Sequence, residues 1–159
     1  MLAFSFYGCT AKPSGDIGKA SEKKVVEIQW EFNTHNDKQN YDTPKTTIYL
    51  NINDGEKKRI KIGEYIANFE EVTPENCSWE LPKDSLTSCF GWFAGQGNIL
   101  GITRTSPDSI SIIHKFIEES GGDPEFAEEL ETRKFEEISI IKIDKDAEIS
   151  VKKAILVND

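Results

Sequence analysis

Apolar and polar residues alternate along most of the chain, which is the pattern of β-strands that bury one face and expose the other. The clearest example spans residues 25–33, where every second side chain is a large hydrophobic group. Its apolar positions are Val26, Ile28, Trp30 and Phe32. Similar alternation recurs in residues 48–52, 60–62, 89–94, 99–105, 110–116, 135–143 and 148–157. The pattern therefore predicts a chain built mainly from strands.

Residues 89–94, CFGWFA, carry apolar side chains on both faces of the predicted strand. A strand that is buried on both sides belongs near the middle of a sheet. Residues 95–98, GQGN, then interrupt the alternation, and glycines accept the positive φ of a tight reversal. We therefore predict a central hairpin whose second strand covers residues 99–105. The glycines are not followed by the Lys-Ser/Thr pair and helix of a phosphate-binding loop, which argues against a nucleotide site.

Residues 53–55, Asn-Asp-Gly, separate two of the short apolar segments. A two-residue turn would place the isoleucines of the two strands on opposite faces of the sheet. A three-residue loop with Gly55 in the left-handed region pairs Ile48 with Ile60 instead, and the apolar faces then agree. The sequence therefore predicts a bulged three-residue hairpin at this point.

Three segments do not fit a simple strand pattern. Residues 34–44 are polar and predict a loop, and residues 64–76 fit either a helical turn or an extended segment. Residues 106–109, SPDS, suit either a helix cap or a type I turn. The β-branched run after them favours the turn followed by a strand. Residues 123–125 predict the start of a short helix, with a capping aspartate and proline at its first position.

Strands that follow one another through short turns predict a mainly β fold. We expect an antiparallel sandwich or a partly closed barrel of about seven or eight strands with one short helix. The chain has 159 residues, which suits a single globular domain over residues 24–159. In the last strand Lys153 breaks the apolar parity, which indicates an edge position.

The charge and hydropathy of the chain exclude some classes of partner and of membrane attachment. The formal net charge is −9, which argues against a nucleic-acid partner because such affinity comes mainly from cations that neutralise phosphates. The sequence contains no run of eighteen apolar residues, so no segment is predicted to span a membrane as a helix.

The first residues are apolar and uncharged, and they end in Phe6-Tyr7-Gly8-Cys9. This segment resembles the end of a bacterial lipoprotein signal, in which a small residue precedes the cysteine that receives lipid. The resemblance covers these residues and the small, polar linker after them. It implies that residues 1–8 are the remaining end of a signal peptide, that Cys9 is lipidated, and that residues 9–23 form a flexible tether.

The same resemblance implies a compartment and a partner. A lipidated Cys9 would hold the domain at a membrane of the bacterial cell envelope, facing the periplasm or the cell surface. Disulfides form in such an oxidising compartment, so Cys77 and Cys89 are expected to pair. The loop between them has about a dozen residues, and closing it would stabilise the fold by roughly 3 kcal/mol.

Few residues suggest catalysis or metal binding. His35 stands beside Asp37 in a polar segment without a nearby third ligand or nucleophile, and His114 falls on an apolar face. Asp54 and the Asp144–Asp146 pair lack the spacing of a calcium loop. The sequence therefore predicts no catalytic residue, no metal and no cofactor, and we expect a protein that is not an enzyme.

The sequence favours an envelope-tethered binding or interaction module. The candidate contact surface is the loop over residues 95–98 together with Trp79 and Arg104. Its ligand-binding side chains are Trp79, Gln96, Asn98 and Arg104. The partner would be another envelope protein, including an enzyme or toxin that this chain inhibits. The alternatives are a small hydrolase that uses His114 or His35, and a purely structural envelope protein.

Overall fold

The computed structural model describes residues 23–37, 42–118 and 134–158. Nine strands make up this described part, which contains no helix. They are β1 (Val25–Asp37), β2 (Thr43–Asn53), β3 (Lys57–Tyr65), β4 (Asn68–Val72), β5 (Ser85–Phe93), β6 (Gln96–Ser106), β7 (Ser109–Glu118), β8 (Lys134–Lys142) and β9 (Glu148–Asn158). The mainly β prediction is confirmed, with nine strands instead of seven or eight. The predicted helix at residues 123–125 and the segment around Cys9 lie outside the described residues.

The strands form two sheets. One sheet has four strands in the order β3-β2-β1-β9, and the other has five in the order β4-β5-β6-β7-β8. Neighbouring strands are antiparallel except β1 and β9, which are parallel. The expectation of a purely antiparallel system is therefore wrong at this pair. A parallel neighbour requires a long crossover, and here the whole five-stranded sheet lies between β1 and β9 in the chain.

The hydrophobic core contains residues of both sheets. The four alternating residues of β1 are buried, as their period predicts. The other sheet contributes Cys89, Leu100, Ile102, Ile110 and Ile112 to the same cluster. Burying each such aliphatic or aromatic side chain stabilises the fold by about 1.5–3 kcal/mol relative to leaving it exposed. We call the face of the five-stranded sheet that carries these residues its inner face, and the opposite face its outer face.

Strand β1 extends further than its hydrophobic pattern indicates. The predicted loop over residues 34–44 is wrong at both of its ends, because β1 continues to Asp37 and β2 begins at Thr43. Polar cross-strand contacts replace apolar ones there: the Thr34 hydroxyl lies 2.8 Å from that of Thr46, which donates to the Ala67 carbonyl. His35 is exposed at the end of the strand.

The β2–β3 hairpin has the predicted three-residue connection. Asn53 lies opposite Lys57, and Gly55 has a φ of 103°, in the region that favours glycine. The register differs from the prediction, since Ile60 lies opposite Leu50 and not Ile48. A bulge after Ile48 shifts the pairing further along. The shift keeps Leu50 and Ile60 on one face, and both pack in the core.

The β5–β6 hairpin confirms a reversal after residues 89–94, but it begins one residue earlier than predicted. Ala94 and Gly95 form the turn with φ values of 51° and 80°, and β6 already starts at Gln96. Residues 109–118 form strand β7, so the turn at residues 106–109 is confirmed over the helix cap.

The predicted disulfide is wrong, because Cys77 and Cys89 are both free thiols. Cys89 lies in the core between the sheets, and this burial raises the pKa of its thiol well above the ordinary value. Cys77 belongs to the β4–β5 connection, whose Trp79 packs on the outer face of the same sheet. Sequence spacing cannot reveal whether a fold brings two sulfur atoms within bonding distance.

Strand β9 is an edge strand, as the exposed Lys153 indicates. Its pairing with β1 shifts between Gln29 and Glu31, where Lys152 and Ile155 are the partners on β9. The extra residue on β9 is a bulge, and it accounts for the break in apolar parity at Lys153.

Candidate functional site

Residues 73–84, between β4 and β5, form a connection that crosses part of the outer face of the five-stranded sheet. A tight turn opens it: the amides of Asn76 and Cys77 both donate to the Thr73 carbonyl at 3.1 Å. The Thr73 amide donates in return to the Asn76 side-chain oxygen at 2.6 Å. These bonds direct the chain back over the sheet after Pro74. We call this segment the β4–β5 connection.

A pair of tryptophans attaches the middle of the connection to the sheet. The ring of Trp79 stacks on that of Trp92 in β5, with centroids 6.0 Å apart and planes inclined by 15°. Trp92 also contacts Phe90, at 6.1 Å between centroids. Gly97 lies beside them on β6, where a Cβ atom would come within 2.8 Å of the Trp92 ring. A stacked aromatic pair contributes about 0.5–1.5 kcal/mol beyond its burial.

A buried lysine of the sheet also binds the β4–β5 connection. The side chain of Lys115 on β7 is 1% exposed, and its ammonium donates to the Glu80 carbonyl at 2.9 Å. The Glu80 carboxylate lies 3.9 Å from the same ammonium. An enclosed ammonium requires such partners, since burial without them is strongly unfavourable. The connection therefore supplies a fixed acceptor to a charge on the sheet.

The end of the connection packs closely on β6. Gly101 leaves room for it, because a Cβ atom there would lie 2.8 Å from both Pro82 Cγ and Ser85 Oγ. The Ser85 hydroxyl donates to the Pro82 carbonyl. Asp84 follows with a φ of 59°, which turns the chain into β5. The connection is thus held at its start, middle and end.

A cavity of about 530 Å³ lies between this connection, the end of β4 and the start of β5. Such a volume is in the range of small-molecule sites. Its apolar lining residues are Val72, Pro74, Trp79, Leu81, Pro82 and Leu86. Thr73, Ser85, Thr87 and Ser88 add polar groups, and Glu71, Glu80 and Asp84 add carboxylates. An apolar lining with a few polar groups is typical of a ligand pocket.

Ser88 is the unusual polar residue of the cavity. It is 2% exposed, and its hydroxyl oxygen has no hydrogen-bond partner among the residues that the structure describes. Buried hydroxyls are nearly always bonded, and leaving one without a partner costs about 1–3 kcal/mol. A ligand group that reaches this residue would recover that energy.

A chain of hydrogen bonds runs behind the cavity and joins the two sheets. Trp30 Nε1 on β1 donates to the Thr87 hydroxyl at 3.2 Å, and that hydroxyl donates to the Glu71 carboxylate at 3.0 Å. The second oxygen of Glu71 accepts the Ala154 amide of β9 at 2.7 Å. The two donors to this carboxylate among the described residues are neutral groups, and they hold it in position.

The structure separates the four residues that the sequence assigns to one contact surface. Trp79 lines the cavity, whereas Gln96 is exposed at the β5–β6 turn beside Glu118. Asn98 is 7% exposed on the inner face, where its side-chain oxygen lies 2.8 Å from His114 Nε2. Arg104 bonds the Ser106 and Pro107 carbonyls near the other end of β6. Eight positions of strand separate Gln96 from Arg104, or roughly 26 Å.

Sequence reasoning missed Leu86, Ser88 and the acids of the cavity. Leu86 and Ser88 belong to a strand whose alternation begins before the recognised segment at residue 89. The available signal was the connection itself, whose twelve residues include two prolines and a tryptophan. Connections of that length inside a compact domain are often functional.

His114 contacts Asn98 of its own sheet and Tyr65 of the four-stranded sheet, and it does not line the cavity. Besides Asn98, its ring meets the edge of the Tyr65 ring at 5.5 Å between centroids. Its half-buried position on the inner face agrees with the predicted apolar face.

A second, smaller depression lies on the exposed face of the four-stranded sheet, with a volume of about 290 Å³. Opposite charges pair across it: Lys152 lies 2.7 Å from Glu27, and Arg59 lies 2.5 Å from Glu31. These pairings lower the pKa values of Glu27 and Glu31. The Arg59 guanidinium also lies 3.5 Å above the centre of the Tyr49 ring. Since both acids of this charged face, Glu27 and Glu31, already have cationic partners, it is a weaker candidate than the cavity.

Within the described ranges, no group of three or more His, Cys, Asp or Glu side chains is arranged to hold a metal ion. In the same part of the chain, no helix has the length and apolarity that crossing a membrane requires. No family model, no curated protein and no solved structure matches the chain.

Proposed function

We propose that the chain is a binding module of the bacterial cell envelope, and that its ligand occupies the cavity beneath the β4–β5 connection. One observation carries the proposal: the cavity is lined by Trp79 and by Ser88, and the buried hydroxyl of Ser88 has no partner in the described part of the chain. An apolar pocket with a few fixed polar groups is suited to hold a small molecule.

The attachment of the connection supports binding without large rearrangement. Trp79, the Glu80 carbonyl and Pro82 are each held against a different strand of the same sheet. A site that is ordered before the ligand arrives loses less conformational entropy on binding. Binding is favoured over catalysis because, among the described residues, no histidine or cysteine lines the cavity to activate or supply a nucleophile.

Localisation is the second part of the proposal. The lipoprotein-like segment ending at Cys9 precedes β1, which begins at Val25. A lipid on Cys9 would hold the domain beside a membrane, with residues 9–23 as the tether. In bacteria that express the full chain behind a complete secretion signal, an alkyne-labelled fatty acid should be incorporated. Incorporation that persists in Cys9→Ala would refute the anchor.

Filling the cavity tests the binding function. Leu86 lines the cavity and is 39% exposed, so Leu86→Trp should block the space with little strain on the core. Ile66→Trp is the matched control, because Ile66 is 56% exposed and lies outside the cavity lining. A panel of small neutral, cationic and anionic ring compounds would be titrated into ¹⁵N-labelled protein and followed by NMR.

The expected result is a set of compounds that shift the Trp79 indole and Ser88 amide signals in the wild type and in Ile66→Trp. Leu86→Trp should weaken their binding at least tenfold. The proposal fails if no compound shifts these signals at millimolar concentration, or if the cavity-filling variant binds as well as the control.

A further inference from the structure

We infer that the ligand of this cavity is a small organic cation with an apolar or ring-shaped body, such as an aromatic amine. The inference rests on the proposed function, namely that the cavity is the binding site. It follows from the charges of the lining, the shape of the apolar walls and the unpartnered hydroxyl of Ser88.

The ionisable lining residues are all acids. Glu71, Glu80 and Asp84 border the cavity, and no lysine, arginine or histidine lines it within the described residues. Lys115 lies under the connection, where its ammonium donates to the Glu80 carbonyl and lies 3.9 Å from the Glu80 carboxylate. Its single charge offsets part of the field of three carboxylates, and the remaining field is negative. Cavities lined by one sign of charge concentrate ions of the opposite sign.

Glu71 is the least exposed of the three acids, and its carboxylate is held in place. Its two oxygens accept the Thr87 hydroxyl and the Ala154 amide, which are neutral donors. Partial enclosure lowers the effective dielectric constant, so a nearby charge interacts with it more strongly than at an open surface.

The walls favour a ring or an apolar body beside the charge. Val72 and Leu86 provide aliphatic surface, and Trp79 provides an aromatic ring whose electrons attract cations. The Ser88 hydroxyl can accept a hydrogen bond from a ligand N–H, which would satisfy its buried oxygen. A carboxylate or phosphate ligand would meet three like charges and no cationic side chain in the lining.

Three compounds with the same ring and different charge test the inference directly: benzylamine, benzyl alcohol and benzoate. Each would be titrated into ¹⁵N-labelled protein at neutral pH, with the Trp79 indole and the Ser88 amide as reporters. We expect benzylamine to bind at least tenfold more tightly than benzoate, with benzyl alcohol between them.

A pair of charge-neutralising variants isolates the cause. Glu80→Gln with Asp84→Asn removes two carboxylates at exposed positions, and asparagine tolerates the positive φ of residue 84. The matched control is Glu56→Gln with Asp42→Asn, which removes the same charge outside the cavity and again places asparagine at a positive φ, of 57°. We expect the first variant to reduce the preference for benzylamine over benzyl alcohol at least threefold, and the control to keep it.

The outcomes separate the inference from the proposed function. Equal binding of the three compounds at the cavity reporters would overturn the cation preference and leave the binding site in place. Tighter binding of benzoate would do the same. Absence of any shift at these reporters, with these compounds and with the wider panel, would overturn the site itself.

Discussion

Two neighbouring hydroxyls on β5 have opposite roles, although both are buried. Thr87 accepts from Trp30 and donates to Glu71, so its hydroxyl connects the two sheets. Ser88 points to the other face of the strand, and its hydroxyl has no partner in the described part of the molecule. The Thr87 hydroxyl therefore stabilises the fold. The Ser88 hydroxyl lowers its stability, which is typical of a residue kept for binding.

Substituting each hydroxyl should separate stability from binding. Ser88→Ala removes an unsatisfied group, so we expect the free energy of unfolding to stay level or rise by up to about 1 kcal/mol. Thr87→Val keeps the shape and leaves Trp30 and Glu71 without this partner, so we expect a loss of about 1–3 kcal/mol. Urea unfolding followed by tryptophan fluorescence measures both values.

Ser88→Ala should also have different effects on stability and on ligand binding. Ser88→Ala should weaken benzylamine binding although the fold is no less stable. A Ser88→Ala protein that is clearly destabilised would show that the hydroxyl has a structural partner, and would contradict this assignment.

At the scale of elements, the β4–β5 connection depends on a contact from β7. Lys115 donates to the Glu80 carbonyl, while Trp79 and Pro82 pack on β5 and β6. Lys115→Met keeps an apolar stem of similar length and removes the donor. We expect global stability to change little, because the buried charge is removed together with its bond.

The local effect of Lys115→Met should be larger. Losing one attachment lowers the free energy of opening for this segment, so amide hydrogen exchange at Trp79 and Glu80 should speed up at least fivefold. Exchange in β1, measured at Ile28 and Trp30, serves as the internal control. An unchanged rate in the connection would show that the lysine does not hold it.

The ion pairs of the four-stranded sheet predict an acid-sensitive element. Arg59 lowers the pKa of Glu31, first by hydrogen bonding, and Lys152 lowers that of Glu27 in the same way. A lowered folded-state pKa adds stability above the unfolded pKa of about 4.3. That stability is lost as the pH falls through the lower folded-state values.

The test compares the pH dependence of unfolding in Glu31→Gln and in the wild type. The wild type should lose stability between roughly pH 5 and pH 3, and Glu31→Gln should lose less over that window. Glu70→Gln is the control, since the Glu70 carboxylate has no ion pair among the described residues. Identical slopes in the wild type and Glu31→Gln would contradict a stabilising role for this pair.

At the scale of the whole molecule, local patterns were predictable and long-range partnerships were not. The period of two in β1 indicates which side chains enter the core, because a strand presents alternate residues to opposite faces. The three-residue hairpin at Gly55 followed from the need to align two apolar faces. The extension of β1 past Phe32 was missed because threonine contacts, and not apolar burial, continue the pairing with β2.

The contacts that could not be predicted from the sequence are those that depend on how the two sheets are arranged. The parallel pairing of β9 with β1 brings Ala154 to Glu71, 83 positions away in the chain. Cys77 and Cys89 are free thiols, and Cys89 is enclosed in the core between the sheets, which their spacing in the sequence does not indicate. The cavity combines a connection and the ends of two strands, so only Trp79 of the four predicted ligand-binding residues lines it.

Contacts between a bound compound and named side chains are the most direct measurement of this account. In an isotope-filtered NMR experiment with benzylamine, the ring protons should show nuclear Overhauser effects to Trp79, Leu86 and Val72. Such effects to Tyr49 on the charged face instead, or none to the cavity at a concentration that saturates binding, would contradict the account.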